Sequence, residues 1–176
     1  RRYVSYSKAM KIFSTFSWIG GFELGIIQAF GKENVELIGY SEIDQFSCAV
    51  LAHRFPDVKN YGDIKQIEAS DLPDFDVLVG GSPCQDLSIS KQNRQGLMGA
   101  KSELFFEYVR LLRSKKPRYF VLENVASMKN DDRDFISETL GVEPIKINSA
   151  AFTTQHRNRY YWTNIPWIKV PESDGL

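Results

Sequence analysis

Apolar and polar positions alternate along this chain in a way that predicts strands and helices in turn. Residues 11 to 17, KIFSTFS, are apolar and aromatic enough for a buried strand. They run into WIGGFELG, where Gly20, Gly21 and Gly25 permit a tight turn and close packing of a following helix. Leu24, Ile26, Ile27 and Phe30 carry that helix to Gly31, and VELIGYSE reads as a second strand ending at Glu42. Asp44 is placed to cap a helix with Phe46, Ala49 and Val50 on one face, closed before Pro56. VKNYGDI gives a weaker third strand ending at Asp63, FDVLVGG a strong fourth, and RYFVLEN a strong fifth ending at Glu123. Between the last two, SELFFEYVRLLRSKK sets Leu104, Phe105, Tyr108, Leu111 and Leu112 on one helical stripe before Pro117. DFISETLG supplies one more helix, and PIKINSAAF and RYYWTNI two more strands. The alternation predicts an α/β fold: an open, mostly parallel sheet with helices on both faces, formed by one domain over residues 1–176.

Composition adds boundaries to that picture. Hydrophobic residues make up 43% and charged residues 25%, near globular averages, which argues against disorder or low complexity. No apolar run approaches the ~20 residues needed to cross a bilayer, so no membrane partner is expected. Lys+Arg and Asp+Glu balance at 22 each, so any case for nucleic-acid binding must be local. The two cysteines, Cys48 and Cys84, sit in unlike settings, which points to a reducing compartment rather than a disulfide framework. His53 follows Cys48 with no second Cys/His pair, and no metal is expected. Residue 1 is Arg and the final PESDGL carries no closing element, so the chain reads as a piece of something longer.

In open α/β sheets ligands sit at the carboxyl ends of strands, and the residues able to do chemistry fall at those ends. Glu42 lies 22 positions after Gly20, near the spacing at which a carboxylate meets a bound ribose; the alternative is an ordinary turn with an exposed acid. Trp18 stands where a pyrophosphate-binding loop would have its first glycine, which favours a nucleoside cofactor without phosphates, such as S-adenosylmethionine. In GGSPCQ, Pro83 stiffens the turn that carries Cys84, which reads either as a nucleophile or as a small buried hydrophobe. Glu123, at the end of an apolar strand, is either a carboxyl desolvated enough to hold a proton or a cap. Arg157 and Arg159, two apart, either grip an anion or carbonyl oxygen or form surface ion pairs.

Taken in order, FSWIGGFELG, SEID, GDI, GGSPCQDLS, ENV and QHRNR resemble the successive motifs of the cytosine-5 DNA methyltransferases. The stretches GGSPCQDLSIS, SELFFEYVRLL and HRNRYYWTN are similar above all to the animal de novo enzymes, with phage and bacterial relatives carrying like text. The resemblance implies S-adenosylmethionine as methyl donor, S-adenosylhomocysteine as product, and DNA carrying a flipped cytosine as substrate. It implies that Phe16, Ile19, Gly20, Glu42, Ile43, Asp63, Ile64 and Leu104 line the cofactor, with Glu42 on the ribose and Asp63 on the adenine amino group. It further implies that Cys84 attacks cytosine C6, that Glu123 and Arg159, with Arg157 beside them, hold the ring, and that Ser82, Pro83 and Asn124 flank the substrate. The polar stretch from Ser88 to Lys101, with Lys91 and Arg94, resembles the family's mobile catalytic loop, whose cations meet phosphates.

Two features depart from the family pattern. Trp18 replaces the glycine usual beside the methionine part of the cofactor, and the target-recognition region and last two motifs do not follow QHRNRYYWTN. The missing part is expected from further C-terminal sequence or from a second chain, and residues 1–176 alone are expected to have little activity. The other readings are a tRNA cytosine-5 methyltransferase of the same fold and an inactive accessory paralogue that partners an active enzyme. Location is expected to be cytoplasmic for a prokaryotic or phage source and nuclear for a eukaryotic one.

Overall fold

In the computed structural model, which describes residues 8–83, 100–151 and 154–166, six strands and four α-helices follow one another in a largely alternating order. They are β1 (Met10–Thr15), α1 (Gly21–Phe30), β2 (Val35–Ser41), α2 (Gln45–Arg54), β3 (Val77–Gly81), α3 (Ala100–Lys115), β4 (Tyr119–Val125), α4 (Asn130–Leu140), β5 (Ile145–Asn148) and β6 (Asn158–Thr163). The strands form one sheet in the order β2-β1-β3-β4-β6-β5. β2, β1, β3 and β4 are parallel, and β6 lies antiparallel between β4 and β5, so the sheet is mixed with a parallel majority. The chain leaves β1 to build β2 on one side and later returns to build β3 on the other. The order therefore switches at β1, where a crevice opens at the carboxyl edge.

The period of two along buried strands distributes the core to both faces. Ile12, Val77 and Val79 meet Phe22 and Ile26 of α1 on one face, while Phe13 and Leu78 join Phe105, Tyr108 and Leu111 of α3 and Ile136 of α4 on the other. Each such side chain stabilises the fold by roughly 1.5–3 kcal/mol through removal of apolar surface from water. Trp162 is fully buried in the larger cluster, and its indole Nε1–H donates to Ser137 Oγ at 2.9 Å, so it leaves no orphan donor. Close approach of β1 and β3 requires glycine at position 80, where a Cβ would collide with Thr15 Oγ1.

Two expectations are corrected. VKNYGDI is not a strand: it makes only an isolated bridge from Asn60 to Tyr40, because the Asn60 side chain takes over local backbone bonding and Gly62 turns the chain at φ 71°. Asn60 Oδ1 accepts from the amides of Glu42 and Gly62, and its Nδ2 donates to the Glu42 carbonyl. The following irregular segment is clamped by α3 instead. Arg110 Nη2 donates to the carbonyls of Ile64 and Ile67 at 3.1 and 2.8 Å, and Lys115 Nζ to that of Leu72 at 2.8 Å. The buried face of α2 carries Ser47 and Leu51, whereas Phe46 is 83% exposed. The helix expected through Leu24, Ile26, Ile27 and Phe30 is α1; its fully buried side chain is an acid, Glu23, and Leu24, Ile26 and Ile27 are half-buried.

Candidate active site

Between the end of β1 and the end of β2 the backbone makes a turn with alternate residues left-handed: Phe16 at φ 53°, Trp18 at 49° and Gly20 at 86°. The glycine meets this geometry without cost, but each of the other two pays about 1–2 kcal/mol for it. The turn is tied down on several sides. Phe16 N–H donates to the Ser41 carbonyl at 2.9 Å, Trp18 N–H to Glu42 Oε2 at 2.7 Å, and Arg54 Nη1 to the Ile19 carbonyl at 2.5 Å. Gly20 then caps the N-terminus of α1.

Glu42 is fixed by the same arrangement. Its Oε1 accepts from the amides of Ile43 and Asp44 at 2.8 and 2.9 Å, and Oε2 from Trp18. A carboxylate has about four acceptor positions, so three amides leave one on Oε2 for a ligand hydroxyl. Asp63, at the end of the irregular segment, caps a short 3-10 turn through Oδ1, which accepts from Lys65 N–H at 3.0 Å. Behind Glu42, Cys48 Sγ contacts the Glu42 carbonyl at 3.4 Å and receives Asn60 Nδ2 at 3.3 Å. Burial, with the nearby Glu42 charge, pushes the Cys48 thiol above its ordinary value, so it is not an activated nucleophile.

Phe16, Trp18, Ser41, Glu42, Ile43, Gly62, Asp63, Ile64, Pro83 and Leu104 line a cavity of about 100 Å³ at this point. Six of the eight residues expected around a cofactor are therefore brought together: Phe16, Glu42, Ile43, Asp63, Ile64 and Leu104. Ile19, 52% exposed, and Gly20 shape the turn without lining the cavity. Sequence reasoning missed Ser41 and Gly62 as wall residues; the Ser41 hydroxyl donates to the Gly62 carbonyl at 2.7 Å and so joins the two walls. A larger hollow of about 370 Å³ at the end of α4, lined by Asp134, Ser137, Glu138, Gly141, Val142 and Glu143, lies among none of the candidate residues.

A second group forms at the carboxyl ends of β3 and β4. In the sheet register Glu123 stands beside Gly81 on one side and Tyr161 on the other. A Cβ at Gly81 would come within 3.0 Å of Glu123 Oε2, so the glycine leaves room for that carboxyl. Arg159 Nε lies 2.5 Å from Glu123 Oε1, with the two side chains 18% and 20% exposed. The contact has the distance of an ion pair, and the Arg159 Nε has no aligned hydrogen-bond partner among the described residues. Burial raises the Glu123 carboxyl above its ordinary value, and the charges of Arg159 and Arg157 oppose that rise. Burial likewise raises the Tyr161 hydroxyl. Arg157 is exposed and precedes β6, its backbone amide donating to Asn148 Oδ1 at 3.2 Å.

Asn124 is 1% exposed, and its Nδ2 donates to Ser82 Oγ and the Ser82 carbonyl at 3.3 and 3.4 Å. It thus grips the turn that leads through Pro83 to position 84. Cys84, Ser88, Lys91 and Arg94 lie outside the described residues. Among the described residues no helix is long and apolar enough to cross a membrane, and no cluster of three or more His, Cys, Asp or Glu is placed to hold a metal.

The model of the C-5 cytosine-specific DNA methylase family matches residues 10–161. The orphan methyltransferase M.Rho11sI of Bacillus phage rho11s is 42% identical over 128 residues, 70% of this chain and 24% of the phage protein. The type II methyltransferase M.NgoBV of Neisseria gonorrhoeae is 39% identical over 134 residues, 75% of this chain and 31% of its own length. M.HaeII of Haemophilus aegyptius is 36% identical over 150 residues, 85% of this chain and 44% of its own. The chain thus spans less than half the length of these relatives. A solved structure of an E. coli prophage-encoded protein assigned as a DNA modification methyltransferase superimposes with a TM-score of 0.69 at 24% identity, over 88% of this chain and 46% of that one, a likeness of fold.

Proposed function

The chain belongs to the C-5 cytosine-specific DNA methylase family, and from that premise we propose that it is the cofactor-binding and catalytic part of an enzyme that methylates C5 of a flipped-out cytosine in DNA. The observation that carries the proposal is the joint position of two groups on one sheet edge. Pro83 lines the cavity of Glu42 and Asp63, while Glu123 of the Glu123–Arg159 pair stands beside Gly81 in the sheet register and Asn124 bonds Ser82, so both groups meet the segment that leaves β3.

The cavity residues fit the nucleoside end of S-adenosylmethionine. Glu42 keeps one acceptor position for a ribose hydroxyl, Asp63 keeps one carboxyl oxygen for the adenine amino group, and Phe16, Ile43, Ile64 and Leu104 give apolar walls to a base. About 100 Å³ is below the ~300–1,000 Å³ of complete ligand pockets, so the described residues form only part of a site for that molecule. Trp18 stands at its wall, where the methionine end would leave. When bound, the cofactor supplies the electrophilic methyl group.

The chain's own residues supply the rest. C5 of cytosine is a weak nucleophile. Addition of the Cys84 thiolate at C6, with a proton held near N3, moves electron density onto C5, which then takes the methyl group. Loss of the C5 proton returns the electron pair to the ring and expels the thiolate. Glu123 is suited to N3 because burial keeps its acid form present to higher pH, and Arg159 beside it suits O2. Asn124 holds Ser82, two residues before Cys84 in the chain. The bacterial and phage origin of the relatives supports action in a bacterial cytoplasm.

The test uses the full-length protein with DNA carrying 5-fluorocytosine, whose C5 fluorine cannot leave as the proton does. A stable protein–DNA adduct should form in the presence of S-adenosylmethionine and vanish in Cys84→Ser. An adduct that survives in that variant would remove Cys84 from its role, and none with the parent would count against the reaction itself.

A further inference from the structure

Glu23 is a residue that neither the cavity nor the catalytic pair uses. It lies in the first turn of α1, is 1% exposed, and neither carboxyl oxygen has a hydrogen-bond partner among the described residues. An uncompensated carboxylate in such a place is costly, so its surroundings must explain it. The Ser14 and Ser17 hydroxyls lie beside it, already bonded to each other at 2.9 Å. A Cβ built on Gly20 would stand 3.8 Å from Glu23 Oε2, which puts the carboxyl directly beneath the left-handed turn. The two other atoms nearest that Cβ are apolar, from Leu51 of α2 and from Phe55 at the helix's C-cap.

Among the described residues the charges acting on it include no counter-ion. Glu42, at the end of β2, acts on Glu23 with the same sign, and Tyr40 of β2 is the other titratable group coupled to it. The nearest cation of α2, Arg54, is committed to the Ile19 carbonyl. Glu23 does not line the cavity, so direct contact with a ligand is not its role.

We propose that Glu23 is a positioning residue whose carboxyl group, bridging the Ser14 and Ser17 hydroxyls, fixes the turn from Phe16 to Gly20 and thereby the wall of the cofactor cavity. A protonated carboxyl suits that bridge, since its O–H donates to one serine oxygen while its carbonyl oxygen accepts from the other hydroxyl. Burial raises the carboxyl above its ordinary value in the same direction. The sign follows from linkage. A carboxyl with a raised folded value gives its full contribution below its unfolded value and loses it as pH rises through the folded one. Deprotonation would then leave a charge beneath a turn that two non-glycine left-handed residues already strain.

This inference rests on the cavity binding S-adenosylmethionine, and the experiment separates the two. Glu23→Gln preserves shape and stays neutral at all pH, while Glu23→Leu preserves volume and removes the bridge. Calorimetry of S-adenosylhomocysteine with the full-length protein across a pH series should show Glu23→Gln matching the parent at the acid end and exceeding it increasingly as pH rises and the parent's carboxyl ionises. Glu23→Leu should be weaker across the series by about tenfold or more, the scale on which small misplacements of a wall act. A second readout needs no ligand: the amide resonance of Trp18, bonded to Glu42, should shift in Glu23→Leu and stay in place in Glu23→Gln. If the parent binds no S-adenosylhomocysteine, the cofactor reading fails and the Trp18 resonance alone decides the role of Glu23. Glu23→Leu equal to the parent, or Glu23→Gln as impaired as Glu23→Leu, would overturn the proposal.

Discussion

Replacing Arg159 with Met removes one charge from the Glu123 pair while keeping most of the aliphatic bulk. The pair is about four-fifths buried on both sides, and its atoms approach to 2.5 Å. At an effective dielectric constant near 20 two unit charges attract by ~4 kcal/mol at 4 Å, and desolvation offsets a large part of this. Burial outweighs both arginines, since the Glu123 carboxyl remains raised with them present. Arg159→Met takes away the larger opposing charge and leaves the more distant Arg157, so the carboxyl rises further. We expect a loss of ~2 kcal/mol at pH near 8, between an exposed pair and a fully buried one. The sign fixes the pH dependence. A raised acid costs stability only once pH exceeds its unfolded value, so the parent and variant should converge near pH ~4, where the carboxyl is protonated in both folded and unfolded states. Urea unfolding of the full-length protein from pH ~4 to ~8 measures the difference. A penalty of the same size across that range would show that the arginine acts by packing, and no penalty at pH 8 would show that the pair is idle.

Trp18→Gly should stabilise the protein by about 0.5–1 kcal/mol, because glycine accepts φ 49° and the indole, 68% exposed, buries little. Calorimetry should also find S-adenosylmethionine binding more tightly to that variant as the cavity wall recedes; equal or weaker binding would make the tryptophan a favourable contact. Asn124→Ala should cost about 1–2 kcal/mol by leaving Ser82 groups unpaired, and should slow adduct formation on 5-fluorocytosine DNA. An adduct rate equal to the parent's would detach Asn124 from the Ser82 turn's chemistry.

The sheet was legible where strands are buried on both faces. IFST and VLVGG are short runs buried at successive positions, and they became β1 and β3, while FVLEN, buried at alternate positions, became β4. Parallel pairing then brings their carboxyl ends to one edge, which is why Phe16, Glu42 and Leu104, distant in sequence, meet at one cavity. What failed were readings that depend on which polar side chain wins a backbone group. VKNYGDI has strand composition, but Asn60 satisfies the amides of Glu42 and Gly62 and leaves no ladder to build. Phe46 has the spacing of a core residue, yet α2 turns Ser47 and Leu51 inward, since the Asp44 cap fixes its angle by accepting from Ser47 N–H at 2.8 Å. Glu23 could not have been found by hydropathy at all: its burial follows from the course of the glycine turn above it. The role of Arg110 and Lys115 as carbonyl clamps has no sequence signal, since it depends on the irregular segment that carries Ile64, Ile67 and Leu72 lying against α3.

The strain at Phe16 and Trp18 has a consequence for how the two halves of the site communicate. A turn costing about 1–2 kcal/mol at each of two residues persists only if its surroundings over-determine it. Here the restraints come from three different elements: the end of β2 through Ser41 and Glu42, α2 through Arg54, and α1 through Gly20 and the buried Glu23. Glu42 is at once a restraint and the acceptor suited to a ribose. A ligand drawing on its last acceptor position therefore acts on a group that already holds Trp18, and Trp18 stands on the same cavity wall as Pro83. Pro83 is adjacent to position 84, and Asn124 holds Ser82 on its other side. The cavity and the segment that leaves β3 are in this way linked through four residues, Glu42, Trp18, Pro83 and Ser82. A double-mutant cycle between Glu42→Gln and Asn124→Ala, read out as adduct rate, is the direct measure of that link, because sites this far apart in sequence with no shared partner would give additive effects.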